Sequence, residues 1–233
     1  MKKILCALVL FSSLAFSSDF ENYKISCESG NGADCSKLAY LYYDGKGVKQ
    51  DFSQANKYWE KACSLGDGAG CLDVGFSYDE GEAVVRDLSK AKDYYLKACD
   101  LDYGGGCSNL ADLYYHGDGV DQDFLKAKEY TLKACNLKDG KGCNNLGILY
   151  EKGQGVDMSY KKAEEYYIKS CDLDYNLGCY NLGLITLNKI NLSPTRTKAQ
   201  KYINKAKPYF KKACDLDYKD GCKELRELKE LII

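Results

Sequence analysis

Apolar and small residues recur along this chain at spacings of three and four, and the pattern returns every 36 residues. In the stretch Cys143-Asn144-Asn145-Leu146-Gly147-Ile148-Leu149-Tyr150, the residues Leu146, Gly147 and Tyr150 fall on one helical stripe, and Leu110, Ala111 and Tyr114 repeat it one period earlier. The small residue beside the leucine lets a neighbouring helix approach closely. A glycine-rich turn follows each time: Gly45-Lys46-Gly47-Val48, Gly81-Glu82-Ala83-Val84, Gly117-Asp118-Gly119-Val120 and Gly153-Gln154-Gly155-Val156. Glycine just past a helix supplies the left-handed cap conformation. Asp51, Asp87, Asp123 and Ser159 then occupy one equivalent position, each followed by Phe52, Leu88, Phe124 or Tyr160 and a Lys/Gln-Ala start, which marks the N-cap of a second helix. Ala91, Tyr94, Tyr95 and Ala98, or Ala163, Tyr166 and Tyr167, form its apolar stripe. Two amphipathic helices per 36-residue period predict an all-α fold, a right-handed α/α solenoid of about five helix-turn-helix units. The units begin near residues 27, 63, 99, 135 and 171, with a cap from 214.

The fifth unit departs from the period, running 43 residues from Cys171 to Cys214 with Asn188-Lys189-Ile190-Asn191-Leu192-Ser193-Pro194 in place of the glycine turn. Lys198-Ala199 with Tyr202-Ile203, and Lys205-Ala206 with Tyr209-Phe210, are the same motif offset by seven. Its second helix is therefore expected to gain two turns without changing its buried face, with a kink at Pro208. Lys223-Glu224-Leu225-Arg226-Glu227-Leu228 predicts a charged helix that closes the array.

Cysteines change this picture. There are 13, of which Cys6 lies in an opening segment, Met-Lys-Lys followed by the apolar run Ile4–Leu14 and Ala15-Phe16-Ser17, that reads as a signal peptide over residues 1–17 ahead of a repeat domain over 18–233. The run is well short of the ~20 residues that span a bilayer, so no membrane association is expected after cleavage. The other twelve fall into pairs eight apart: Cys27 and Cys35, Cys63 and Cys71, Cys99 and Cys107, Cys135 and Cys143, Cys171 and Cys179, Cys214 and Cys222. Regular even pairing in an exported chain means disulfides, each stapling the end of one second helix to the start of the next first helix. Pairing equivalent cysteines of neighbouring units instead would have to bridge about a helix diameter, ~10 Å, beyond the ~7 Å Cα limit. No C-x₂₋₄-C pairs or Cys/His cluster suggest a metal, and no cofactor is expected. The formal net charge of −1 gives no footprint for nucleic acid. A secreted or periplasmic monomer is expected.

The pattern Asn-Leu-Gly-x-x-Tyr, Gly-x-Gly-Val, Asp/Ser-aromatic, Lys-Ala-x-x-Tyr-Tyr-x-Lys-Ala-Cys resembles the Sel-one-like repeat, a relative of the tetratricopeptide repeat, over about 190 residues. With the opening segment and the cysteine pairing, the chain resembles the secreted cysteine-rich (Hcp-type) members, commonly described as β-lactamases or penicillin-binding proteins. That resemblance implies β-lactam or peptidoglycan-derived ligands. Ser89-Lys90-Ala91-Lys92 and Ser159-Tyr160-Lys161-Lys162 fit the S-x-x-K motif of such enzymes, but neither S-D-N nor K-T-G occurs, and matches to so short a pattern arise by chance. His116, the one histidine, has no nucleophile at a recognisable spacing.

A binding surface is better supported. The first-helix stripe opposite Leu-Gly-x-x-Tyr carries Asn109, Asp112, Tyr115 and His116 in the third unit and Asn145, Ile148 and Lys152 in the fourth. In the resembling repeats this stripe lines a concave groove. Asparagine recurs on it as Asn109, Asn145 and Asn181, and side-chain amides both donate to and accept from an extended peptide backbone. The expected partner is a protein or peptide.

Overall fold

A computed structural model of the chain describes residues 19–190 and 195–230, with the side chain of Glu230 excepted. The opening segment read as a signal peptide and part of the Asn188–Pro194 insertion lie outside the described residues. The described chain is helical throughout. Helix α1 spans 19–28. It is followed by α2 (Gly32–Asp44), α3 (Phe52–Ser64), α4 (Gly68–Glu80), α5 (Leu88–Asp100), α6 (Gly104–His116), α7 (Phe124–Asn136), α8 (Gly140–Lys152), α9 (Tyr160–Asp172), α10 (Asn176–Asn188), α11 (Arg196–Asp215) and α12 (Lys219–Glu230). Two compact bodies divide after Gly106. In the first, α2 packs on α3, α3 on α4 and α4 on α5; in the second, α7, α8, α9, α10, α11 and α12 pack each on the next.

The boundaries follow from local chemistry. Asp51, Asp87, Asp123 and Ser159 are extended N-caps whose side chains accept the amides of Gln54, Lys90, Lys126 and Lys162, as the sequence predicts. The cap's own amide donates back to the first helix of its unit, Asp51 to the Tyr42 carbonyl, Asp87 to Tyr78, Asp123 to Tyr114 and Ser159 to Tyr150, at 2.8–2.9 Å. That bond fixes the length of the intervening turn. Gly45, Gly81 and Gly153 close the first helices in the left-handed conformation. Two residues on, the turn again needs positive φ; Gly47, Gly119 and Gly155 supply it, and Ala83 adopts it at φ 64°. The first helices have caps of their own that the pattern analysis did not identify: Asn31, Asp67 and Asp139 accept from the amides of Asp34, Gly70 and Gly142.

Each body has a two-sided interior. On one side, tyrosines of the first and second helices stack nearly parallel: Tyr42 on Tyr58 and Tyr78 on Tyr94 in the first body, Tyr114 on Tyr130 and Tyr150 on Tyr166 in the second. The lysine that opens the second helix lies over three of these stacks, with Lys90, Lys126 and Lys162 ammonium groups 4.8–4.9 Å from the ring centres of Tyr78, Tyr114 and Tyr150. On the other side a single buried aromatic ring of the second helix meets a small residue of the first. Tyr95 covers Gly75, Tyr167 covers Gly147 and Phe210 covers Gly183, and a Cβ at any of these glycines would stand 2.6 Å from the ring. Glycine is required there by contact, in the middle of a helix where it otherwise costs stability.

The second helix of the fifth unit is lengthened, as its offset motif predicts. Helix α11 has 20 residues against 13 for the other second helices, and Ile203, Ala206, Phe210 and Ala213 keep one buried stripe along it. Helical structure continues on both sides of Pro208. Leu228 of α12 is buried against Ile203, Ala206 and Phe210, so the charged last helix covers the end of that stripe.

All twelve cysteines of the repeat region are disulfide-bonded. Cys27–Cys35, Cys63–Cys71, Cys135–Cys143, Cys171–Cys179 and Cys214–Cys222 join positions eight apart with Cα atoms 4.4–4.6 Å from each other. Such dense bonding belongs to an oxidising compartment, extracellular or periplasmic. No helix among the described residues is long and apolar enough to cross a membrane.

Candidate functional site

In the second body, the ends of α6 and α8 and the middle of α7 surround a cavity of about 260 Å³. Its floor is apolar and buried, formed by Ala111, Ala127, Leu149 and the carbon atoms of Thr131. Its rim is polar: Asp112, Asn145, His116 and Lys152 stand around it, with the Tyr115 ring and Ile148 between floor and rim. Six of the eight residues that the sequence placed on the groove stripe, Asp112, Tyr115, His116, Asn145, Ile148 and Lys152, are thus brought together by helical spacing on two consecutive first helices.

The rim is tied by hydrogen bonds. Asn145 Nδ2 donates to Asp112 Oδ1 at 2.6 Å, and Lys141 Nζ lies 2.6 Å from Asp112 Oδ2. The Tyr115 hydroxyl donates to Gln154 Oε1 at 2.8 Å and accepts from Lys152 Nζ at 2.9 Å. The exposed His116 ring packs edge-on to Tyr115, 4.9 Å between centres. The two remaining predicted residues lie outside the cavity. Asn109 Oδ1 accepts from Lys141 Nζ at 2.7 Å, and Asn181 Nδ2 donates to Asn144 Oδ1 at 2.8 Å. The three recurring asparagines therefore act as rungs between neighbouring first helices, each making a side-chain contact to the adjacent repeat.

A related, smaller cavity of about 190 Å³ occupies the same stripe in the first body, where Tyr40, Tyr43, Phe76 and Trp59 form the walls and Asp73 and Glu82 the polar edge. Tyr40 donates its hydroxyl to Asp73 Oδ2 at 2.5 Å. Burial pushes the Asp73 carboxyl up to about 6, with the Asp67 charge acting in the same direction and the Tyr40 hydrogen bond opposing it. Burial also raises the Tyr40 phenol, so it stays a donor across the physiological range.

The lining of both cavities offers apolar contact together with a few polar groups, the means of holding a ligand. In the larger one the Thr131 hydroxyl is already given to the Lys128 carbonyl at 3.0 Å. Of the two S-x-x-K matches, Ser159 accepts the Lys162 amide as a helix cap and Ser89 stands exposed in the first turn of α5. No group of three or more His, Cys, Asp or Glu side chains suited to a metal ion gathers among the described residues. Thr131, Lys141 and Gln154 escaped the sequence reading; only Thr131 had a visible signal, as a break in the aromatic register of the second helices.

Comparisons agree with this architecture. The Sel1 repeat model matches residues 33–67, 68–103, 105–139, 140–175 and 196–218. No curated protein sequence matches the chain. Among solved structures, a Sel1 repeat protein from Oxalobacter formigenes is 24% identical with a TM-score of 0.74, the match covering 84% of this chain and 78% of that one. The protective antigen c5321 of uropathogenic Escherichia coli, which displays an SLR fold, is 24% identical with a TM-score of 0.71, over 91% of this chain and 44% of that one. Cysteine rich protein B of Helicobacter pylori is 36% identical with a TM-score of 0.48, over 58% of this chain and 97% of that one. With more than half its length matched by that repeat and its helix pairs set at the repeat's period, the chain belongs to the Sel1 repeat family.

Proposed function

We propose that this protein is an exported interaction module that binds an extended peptide segment of a protein or cell-wall partner along the first-helix face of its second body. Sel1 repeat proteins generally mediate protein–protein interactions, and the observation that carries the reading here is the cavity between α6 and α8. It combines an apolar, buried floor with a rim of amide, carboxylate and ammonium groups, the composition by which recognition sites gain affinity from burial and orientation from a few polar contacts. The β-lactam chemistry implied by family resemblance finds no comparable support in the placement of Ser89, Ser159 or His116. Export fits the disulfides, and the partner is then another extracytoplasmic protein or a peptidoglycan peptide.

A peptide array probed with the oxidised protein tests the reading. Peptides selected by the wild type should bind the Asp112→Ala/Asn145→Ala variant about ten-fold more weakly, because each lost polar contact costs roughly 0.5–1.5 kcal/mol. Selected peptides that bind this variant unchanged would move the site elsewhere.

A further inference from the structure

In four of the five units one aromatic ring of the second helix fills the space against the small residue of the first. Trp59, Tyr95, Tyr167 and Phe210 occupy that place in the first, second, fourth and fifth units, and none is more than 5% exposed. Two of the phenols are also satisfied there, Tyr95 by Asp79 at 3.1 Å and Tyr167 by Glu151 at 2.5 Å. At the same register of the third unit, 36 residues from both Tyr95 and Tyr167, stands Thr131. The acid is gone as well, since Tyr115 occupies the position of Asp79 and Glu151. The loss of the ring is what opens the floor. In the first body, where Trp59 remains, the related cavity stops at the indole at about 190 Å³; with Thr131 it reaches down to Ala111 and Ala127 and enlarges to about 260 Å³.

Apolar cavities of roughly 150 Å³ accept benzene, so this one has room for a phenyl or phenol ring. The Thr131 hydroxyl is satisfied by the Lys128 carbonyl and asks nothing of an occupant. We propose that the cavity is an anchor pocket for an aromatic side chain, phenylalanine or tyrosine, of an extended partner peptide, whose ring takes the place that the chain's own ring holds in the other four units. This rests on the peptide-binding reading of the same face and adds the side-chain class that the face selects. Asp112 and Asn145 at the rim are placed to meet the amides that flank such a ring, and Lys152 to meet a carbonyl.

The test uses the oxidised protein, N-acetyl-phenylalaninamide as probe and N-acetyl-alaninamide as control, followed by NMR. The aromatic probe should give saturable shifts at Ala111, Ala127 and Ile148, and the control at least ten-fold weaker ones. Thr131→Phe restores from within the ring that the other four units carry; it should weaken probe binding at least ten-fold while raising the thermal midpoint. Thr131→Leu serves the same purpose if the phenylalanine does not fold. Probe shifts absent from these residues, or equal binding by the filled variant, would overturn the anchor. Array peptides that bind the wild type and Thr131→Phe alike would leave the helix face as the binding surface and remove only the pocket; failure of the array with every peptide would remove the face itself.

Discussion

Asp73 shows how much a single carboxyl can depend on its neighbours. Held beside Asp67 in a half-buried position and bonded by Tyr40, it titrates near 6 in the folded chain, against about 3.9 for an unfolded aspartate. The folded state thus binds this proton more tightly than the unfolded state does. The resulting stability is fully present below pH about 4 and is lost as pH rises through about 6. Asp73→Asn removes the charge while keeping an acceptor for Tyr40. Above pH 6 it should unfold later than the wild type by about 1 kcal/mol once solvent screening is allowed for, and below pH 4 the two should coincide. Trp59, the one tryptophan, reports on the site directly, because its ring lies 5.4 Å from that of Tyr40. Wild-type emission should change with a midpoint near pH 6 and stay flat in the asparagine variant; a wild-type titration below pH 5 would refute the assignment.

Between helices, the decisive contact is the ring over the glycine. Alanine is favoured over glycine inside a helix by about 1 kcal/mol, yet a Cβ at residue 147 would stand 2.6 Å from the Tyr167 ring. Overpacking of this kind typically costs 1–3 kcal/mol, so Gly147→Ala should destabilise by about 1–2 kcal/mol in denaturant unfolding. In a Tyr167→Thr background, which copies the Ala111–Thr131 pairing of the third unit, the same substitution should become neutral or stabilising. Additive effects in the double-mutant cycle would show that ring and glycine do not constrain each other. The same contact marks how far the sequence could be read. Helix number, the caps at Asp51, Asp87, Asp123 and Ser159, the disulfide pairs and the lengthened α11 all follow from spacing, because capping, loop closure and helical periodicity act within one or two turns. Partners across the repeat do not. Nothing in the spacing of Asn109, Asn145 and Asn181 says that Lys141, Asp112 and Asn144 take up their side chains, since those bonds depend on how far one first helix is shifted against the next. The first-helix stripe was legible as a face; its cavity left only the break at Thr131 in the aromatic register, because it arises from an absent ring on another helix.

At the scale of the whole molecule, stability in a repeat array is close to a sum of unit and nearest-neighbour terms, since each unit touches little beyond the next. The disulfides follow the same logic, joining the end of one second helix to the start of the following first helix and closing a loop of only eight positions. A loop of that size is worth about 2–3 kcal/mol by restriction of the unfolded chain. Replacing Cys135 and Cys143 together by serine should therefore lower the unfolding free energy by about that amount without redirecting any other bridge, because equivalent cysteines of neighbouring units lie too far apart to pair. The effect should also be local. Amide exchange ought to quicken in α7 and α8, which that bridge joins, and in α9, which packs on α8, while α2, α3 and α4 keep the protection they have in the parent. Peptide mapping of the variant should still find Cys27 with Cys35, Cys63 with Cys71 and Cys171 with Cys179. Equal loss of protection in all of these helices would mean that the array unfolds as one cooperative block, and that its bridges act on the global equilibrium instead of on the interfaces they span.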